Sequence, residues 1–451
     1  MSAAAQAIPI GPVSREDRIP ALDALRGVAL LGILLMNIAG FAFHFASYDD
    51  PTVAGGATGA NLWFWIVNHI LFEGKMRALF SMLFGAGVIV LTERGEAKGV
   101  NMADVYYRRL LWLMLFGIAH AYLLWYGEIL YPYALCGFVL YPFRKTSARG
   151  LIVFSVISLT VMTCFGVADA FEDRDQRQKA MQAARLRLEG KPVSEELTKA
   201  EEEYTAGQKE NKPTAAKLQE DDAKWTGGFV SVFKRRAEIV RMFHGTPFYS
   251  GWNWDLFAMM FLGMALFKMG VISGQRSMHF YAMLALISYG VGVPLHAYTA
   301  SQIVASNFDS VTHHFAAIPY EFGRTVVALG HMGLLFVIMK AGLLRRLTLA
   351  LAAVGQMALT NYVMQSVICV TIFYVLGWHG KLQRIDTLYI LLAIWTFQLI
   401  VSPLWLRAFR FGPLEWVWRS LTYWTRQPFR LNPAPAAAPE LDMTNAAVAG
   451  E

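Results

Sequence analysis

The chain has 451 residues, of which 55% are hydrophobic, 14% aromatic and only 16% charged, and its mean hydropathy is positive. That composition excludes a soluble globular domain and a disordered chain, and it predicts an all-α, polytopic membrane bundle. The formal charge of +7 sits in short Lys/Arg segments between apolar runs, where it reads as a topology signal and not as a nucleic-acid surface.

Residues 1–20 form a small-residue, polar tail. The first apolar run, Leu22–His44, is long enough to cross a bilayer as a helix, yet it carries Asp23, Arg26, Asn37 and His44. At 3.6 residues per turn, Asp23 lies about 60° around the helix from Arg26, Asn37 about 20° and His44 about 0°. An unpaired polar group in hydrocarbon costs several kcal/mol, so this face is expected to look into a protein interior or a wet cavity. The run is too long for a signal-peptide core and is expected to remain as an anchor. After it come an aromatic interfacial segment, Asn61–Phe72, and helical runs at Lys75–Thr92, Leu110–Tyr126, Glu128–Phe143 and Leu151–Ala170.

At Phe171 the composition changes to Glu, Lys, Gln and Ala. Residues 171–250 read as a charged helical insert, with an amphipathic return helix over Thr226–Phe243. Apolar runs resume at Trp252–Phe267, Phe280–Tyr298, Phe315–Met339, Leu347–Gly377 and Leu388–Leu406. The organisation predicted is a tail (1–20), a first membrane block (21–170), the insert (171–250), a second block (251–408) and a closing amphipathic segment and tail (409–451). Basic segments at Arg94–Arg109, Arg144–Arg149, Lys268–Arg276, Lys340–Arg346 and Arg407–Arg410 place both termini in the cytoplasm and give about ten spans. The insert is then periplasmic in a bacterial inner membrane. Cys136, Cys164 and Cys369 stand singly in apolar runs, so neither a disulfide framework nor a metal site is expected, and each reads as packing.

Several polar residues have two readings. Glu73, Lys75 and Arg77 open one helix on the side where the charge bias is against cations; they either snorkel or bind substrate inside the bundle. His120 is either a hydrogen-bonded core histidine or a general base, and Glu128 is placed to orient it or a substrate. Arg108 and Arg109 are membrane anchors or phosphate contacts. Glu321 and Arg324, three residues apart, read as a pair, and Thr360, Asn361 and Gln365 as interhelical glue.

The stretches LDALRGVALLGILLMNI, EGKMRALFSMLFGAG, HAYLLWYGEILYPYAL, VGQMALTNYVMQS and RFGPLEWVWRSLTYW together resemble the YeiB family of bacterial inner-membrane proteins. The resemblance covers nearly all the membrane-embedded chain and not the charged insert. Gln356 and Glu128 stand where that family usually has Arg and Asp. The family is similar to transmembrane acyltransferases such as heparan-alpha-glucosaminide N-acetyltransferase through the shared opening carried here by Asp23, Arg26, Gly27 and Asn37, with His44 near the place of that enzyme's histidine.

The resemblance implies transfer of an acyl group, foremost acetyl, from cytoplasmic acyl-CoA to an envelope glycan or glycolipid. Arg26, Asp23, Arg108 and Arg109 would hold the donor, His120 or His44 would act as base, and Asn37 would serve the oxyanion. Glu128, Glu73, Lys75 and Arg77 would hold the acceptor. On this reading His120→Ala abolishes transfer. The partners expected are the bilayer, the acyl donor, the acceptor and, as an option, a second copy of the chain. The alternatives are a carrier for a small anionic metabolite, using the same cations without covalent chemistry, and a scaffold whose insert binds an envelope partner.

Overall fold

A computed structural model describes residues 18–97 and 99–431, with backbone alone for 246–250; the expected tails fall largely outside the described residues. The chain is helical throughout. Among the described residues, extended pairing is confined to one bridge between Phe409 and Arg430. Helix α1 (Pro20–Ala42) is followed by α2 (Gly59–Leu71), α3 (Lys75–Glu96), α4 (Ala103–Leu123) and the short α5 (Leu130–Leu140). Next come α6 (Ala148–Leu188), α7 (Glu195–Asn211), α8 (Ala215–Thr226), α9 (Phe229–Phe243) and α10 (Thr246–Lys268). The second half contains α11 (Met278–Ala305), α12 (Ser310–Ala317), α13 (Tyr320–Lys340), α14 (Arg345–Gln356), α15 (Ala358–Val370), α16 (Asp386–Ala408) and α17 (Pro413–Tyr423).

Among the described residues, seven helical segments are long and apolar enough to cross a membrane: Pro20–Ala42, Gly59–Glu96, Ala148–Leu188, Met278–Ala305, Tyr320–Lys340, Ala358–Val375 and Asp386–Ala408. The sequence expectation was about ten, and the difference has local causes. The 11 residues of α5 rise only about 16 Å, half a bilayer core. Asp104, Arg108 and Arg109 charge the first turns of α4. Helix α10 is the third expected span not among the seven, whereas the run expected over Leu347–Gly377 is broken at Met357 but still supplies one, Ala358–Val375.

The composition change at Phe171 does not mark a helix boundary. Helix α6 runs 41 residues without a break, about 60 Å, and carries the chain out of the membrane block into the insert. The insert does not stand apart. Trp225 of α8 stacks on Tyr374 at 4.6 Å, and Val232, Ile239 and Val240 of α9 join a core cluster with Ile38, Phe41, Trp125 and Tyr126.

Helix α1 is the central post, packed against α3, α14, α15 and α16. Its contact with α14 is backbone to backbone. A Cβ on Gly27 would lie 2.0 Å from the Leu351 carbonyl oxygen, and one on Gly355 would lie 1.9 Å from that of Asp23. Small residues at such crossings are how membrane helices approach closely. The expected glue is present: Asn361 Nδ2 donates to Ser402 Oγ at 3.0 Å, and Gln365 Nε2 donates to Gln398 Oε1 at 2.8 Å. Arg324 of α13 donates to both Glu321 and Asp255, closing a buried cluster that Arg77 enters through Asp255 at 3.0 Å. Cys136 and Cys369 are buried as expected, whereas Cys164 is exposed on α6.

Candidate functional site

Two cavities enter the bundle from opposite ends and approach each other at α1. The larger, about 600 Å³, opens beneath the insert and is lined by Asn37, Asp49, Glu73, Arg77, Trp125 and Glu128, with Phe243 and His244 at the end of α9. The other, about 260 Å³, opens at the end that carries Arg18 and α17; its walls include Asp23, Arg26, Arg94, Arg109, Gln356, Glu415 and Arg419. Ile33, Ile129 and Tyr362 line both cavities. These three side chains form the partition. Arg26 and Asn37 share a face of α1 as the periodicity predicts, but 11 residues, about 16 Å of rise, separate them, so they serve different cavities.

The partition depends on how α4 joins α5. Gly117 stands six residues before the end of α4, about 9 Å back along its axis, and a Cβ there would lie 2.4 Å from the Tyr131 amide nitrogen. Helix α5 therefore starts well inside the bundle, and the chain after α4 folds back to reach it. Its first turn is capped by Glu128, whose two carboxylate oxygens accept from the Tyr131 N–H at 2.9 and 3.1 Å. A carboxylate at a helix N-terminus is favoured by the macrodipole. Across the partition Glu415 does the same for α15, accepting from the Leu359 N–H at 2.6 Å and the Thr360 N–H at 3.1 Å. Two helices thus present their N-terminal ends to the partition from opposite sides. The Tyr362 hydroxyl, which faces the Ile129 amide at the start of α5, and the Trp125 indole N–H make no well-formed hydrogen bond.

The cavities differ in charge. The smaller gathers Arg18, Arg26, Arg94, Arg109 and Arg419 against Asp23 and Glu415. Asp23 is bound by Arg26 at 2.9 Å and Arg18 at 3.3 Å. Arg109 and Arg419 lie over the rings of Trp418 at 4.4 Å and Phe411 at 4.7 Å, and neither forms an ion pair among the described residues. In the larger cavity the carboxylates of Asp49, Glu73 and Glu128 face one guanidinium, Arg77, already paired to Asp255.

Four expected site residues stand elsewhere than anticipated. His44 does not continue the polar face of α1, because Phe43 is extended (φ −135°, ψ 166°) and ends the helix. His44 instead faces Asp221 of the insert at 3.8 Å, and burial, opposed by the Asp221 charge, lowers its pKa. Lys75 is fully buried; its Nζ donates to the His69 carbonyl at 2.6 Å and lines neither cavity. Arg108 lies on the outside of α4, over Trp424 at 6.0 Å. His120 is 3% exposed and sits behind the partition, with Nε2 2.8 Å from Ser366 Oγ and its ring stacked on Tyr362 at 4.9 Å. Glu73 does line the larger cavity, held by His69 at 2.6 Å. The partition residues Ile33, Ile129 and Tyr362 were not singled out in the sequence, nor were Trp418 and Arg419 of α17; only the RFGPLEWVWRSLTYW stretch pointed to α17.

Residues 266–425 match the family model described as protein of unknown function DUF418. Over 434 residues, 92% of this chain and 97% of the relative, the sequence is 32% identical to the uncharacterized protein YxaH of Bacillus subtilis (strain 168). The chain belongs to the YeiB family. The uncharacterized protein YeiB of Escherichia coli (strain K12) is 29% identical over 409 residues, covering 90% of this chain and 96% of that protein. No solved structure matches. Of the two departures from the YeiB pattern, Gln356 lies in the wall of the smaller cavity, so the usual arginine would add a cation there, and Glu128 keeps the carboxylate that caps α5.

Proposed function

We propose that this YeiB-family protein transfers an acyl group across the bacterial inner membrane, from a CoA thioester on the cytoplasmic side to a hydroxyl or amine on the periplasmic side. The observation that carries the reading is the pair of cavities, one rich in guanidinium groups and the other in carboxyl groups, that meet at Ile33, Ile129 and Tyr362. The smaller cavity suits the donor. Guanidinium groups bind phosphates by charge-assisted hydrogen bonds, and Arg109 and Arg419 would take those of the nucleotide. The pantetheine arm would follow α1 past Phe80, Phe84 and Leu113, bringing the thioester carbonyl to the partition.

There the Tyr362 hydroxyl and the Asn37 amide would donate to the oxygen that gains charge. Glu128 is the better base, because it lines the acceptor's cavity and His120 does not. It would take the proton of the acceptor O–H or N–H as that atom bonds to the acyl carbon. The C–S bond then breaks, and the CoA thiolate leaves with the electron pair to be protonated from water. His120 would hold the Tyr362 ring in place. The acceptor is of the envelope glycan or glycolipid class, presented beneath the insert.

An anion carrier would use the same two cavities, but its cargo would leave past the carboxyl groups of Asp49, Glu73 and Glu128, a poor lining for an anion. The test is acetyl-CoA binding to detergent-purified protein by calorimetry, beside Arg109→Ala/Arg419→Ala. Saturable binding weakened at least tenfold by the double change, about 1.4 kcal/mol, supports the reading. Absence of binding to a folded sample overturns it.

A further inference from the structure

Helix α9 is amphipathic on both sides, and only one side is used by the protein. Its inner face carries Val232, Ile239 and Val240 into the core, with Arg236 Nη1 donating to the Tyr122 carbonyl at 3.2 Å. Its outer face leaves Phe229 74%, Val230 63% and Phe233 36% exposed, within about 100° of one another around the helix. Beside them Lys234 and Arg241 are exposed, and neither forms an ion pair among the described residues.

Depth decides what covers this face. Just past the end of α9, His244 stacks on Tyr131 at 4.6 Å, in the first turn of α5 and inside the bundle. Gly245 then leads directly into α10, which packs on α3 and α6. Arg236 reaches Tyr122 in the last turn of α4, and the inner face shares a cluster with Phe41 and Ala42 at the end of α1, so the helix lies near the level where these two helices end. An exposed stripe of aromatic and aliphatic side chains flanked by cations is the pattern of a helix that lies in a bilayer interface.

We propose that α9 docks on the bilayer itself. Phe229, Val230 and Phe233 enter the boundary between headgroups and acyl chains, and Lys234 and Arg241 contact anionic lipid headgroups. Because Phe243 and His244 line the larger cavity, the bilayer then holds one wall of that cavity in place. The inference does not depend on acyl transfer.

The experiment uses full-length protein in nanodiscs that contain phosphatidylglycerol, with Cys164→Ser to remove the exposed thiol. Bimane is attached at Val230→Cys or Phe233→Cys, and at Glu210→Cys on α7 as the water-exposed reference. Lipids brominated near the carbonyl end should quench the two α9 probes about twofold and leave position 210 unchanged. Lys234→Glu/Arg241→Glu should lower that quenching in anionic discs and have less effect in zwitterionic ones. Hydrogen exchange of α9 in wild type, slower in anionic than in zwitterionic discs, checks the same point without substitution. Quenching by aqueous iodide equal to that at position 210 overturns the proposal. So does protection from both quenchers, which would mean that a second copy covers the face.

Discussion

Gly117→Ala tests the join on which the partition rests. The new Cβ would stand 2.4 Å from the Tyr131 nitrogen and 2.9 Å from Glu128 Oε1, where ordinary contact begins at 3.4 Å. Neither neighbour is the free end of a flexible chain: one is backbone, and the other is a carboxylate held by that backbone. Helix α5 must retreat by about 1 Å, at the 1–3 kcal/mol typical of overpacking. Alanine also gains about 1 kcal/mol of helix propensity over glycine, so the comparison is with Gly87→Ala on α3. A Cβ at Gly87 meets nothing within 4 Å, and the propensity gain there stands alone. Thermal unfolding in detergent should place Gly117→Ala clearly below wild type and Gly87→Ala at or above it. Equal melting of the two variants would refute the close approach of α4 to the start of α5.

Two further outcomes follow from the charges. Arg324→Ala leaves Glu321 buried without its guanidinium and Asp255 with Arg77 alone, and breaking a buried pair in this way costs about 3–5 kcal/mol; gel filtration after solubilisation should show loss of the monodisperse peak, which Arg77→Ala, a partner of the same Asp255 that is 27% exposed, should largely keep. Burial lowers the His44 pKa against the pull of Asp221, so the folded state binds the proton less readily than the unfolded chain. The stabilisation from neutral His44 is complete above the unfolded value, about 6.5, and declines as pH falls below it; His44→Gln should therefore lose less stability than wild type between about pH 7.5 and 5.5.

Much of the architecture could be read in the sequence because hydropathy reports which segments prefer lipid, and the polar face of α1 had to point inward. Pairings set by helical spacing, such as Glu321 with Arg324, were legible for the same reason. Depth was not. The tight α4–α5 join needs a glycine six residues before a helix end, and Gly117 looks like any other small residue in an apolar run. His44 looked helical because periodicity carries no information about the extended Phe43 that stops α1. The charged insert has the composition of a soluble helix, which says nothing of how closely it packs; Trp225 and the amphipathic α9 were the available signs that it folds back. Lys75 looked like a ligand because charge alone does not distinguish a cation that faces a cavity from one satisfied by the His69 carbonyl.

The central claim is tested most directly by thiol release from acetyl-CoA in proteoliposomes containing an envelope lipid and glycan extract, with wild type, Glu128→Gln and His120→Ala assayed together. Acyl transfer at the partition predicts steady CoA release by wild type, a loss of at least about a hundredfold in Glu128→Gln, and a partial loss in His120→Ala. Turnover retained by Glu128→Gln, or abolished only in His120→Ala, would contradict the account.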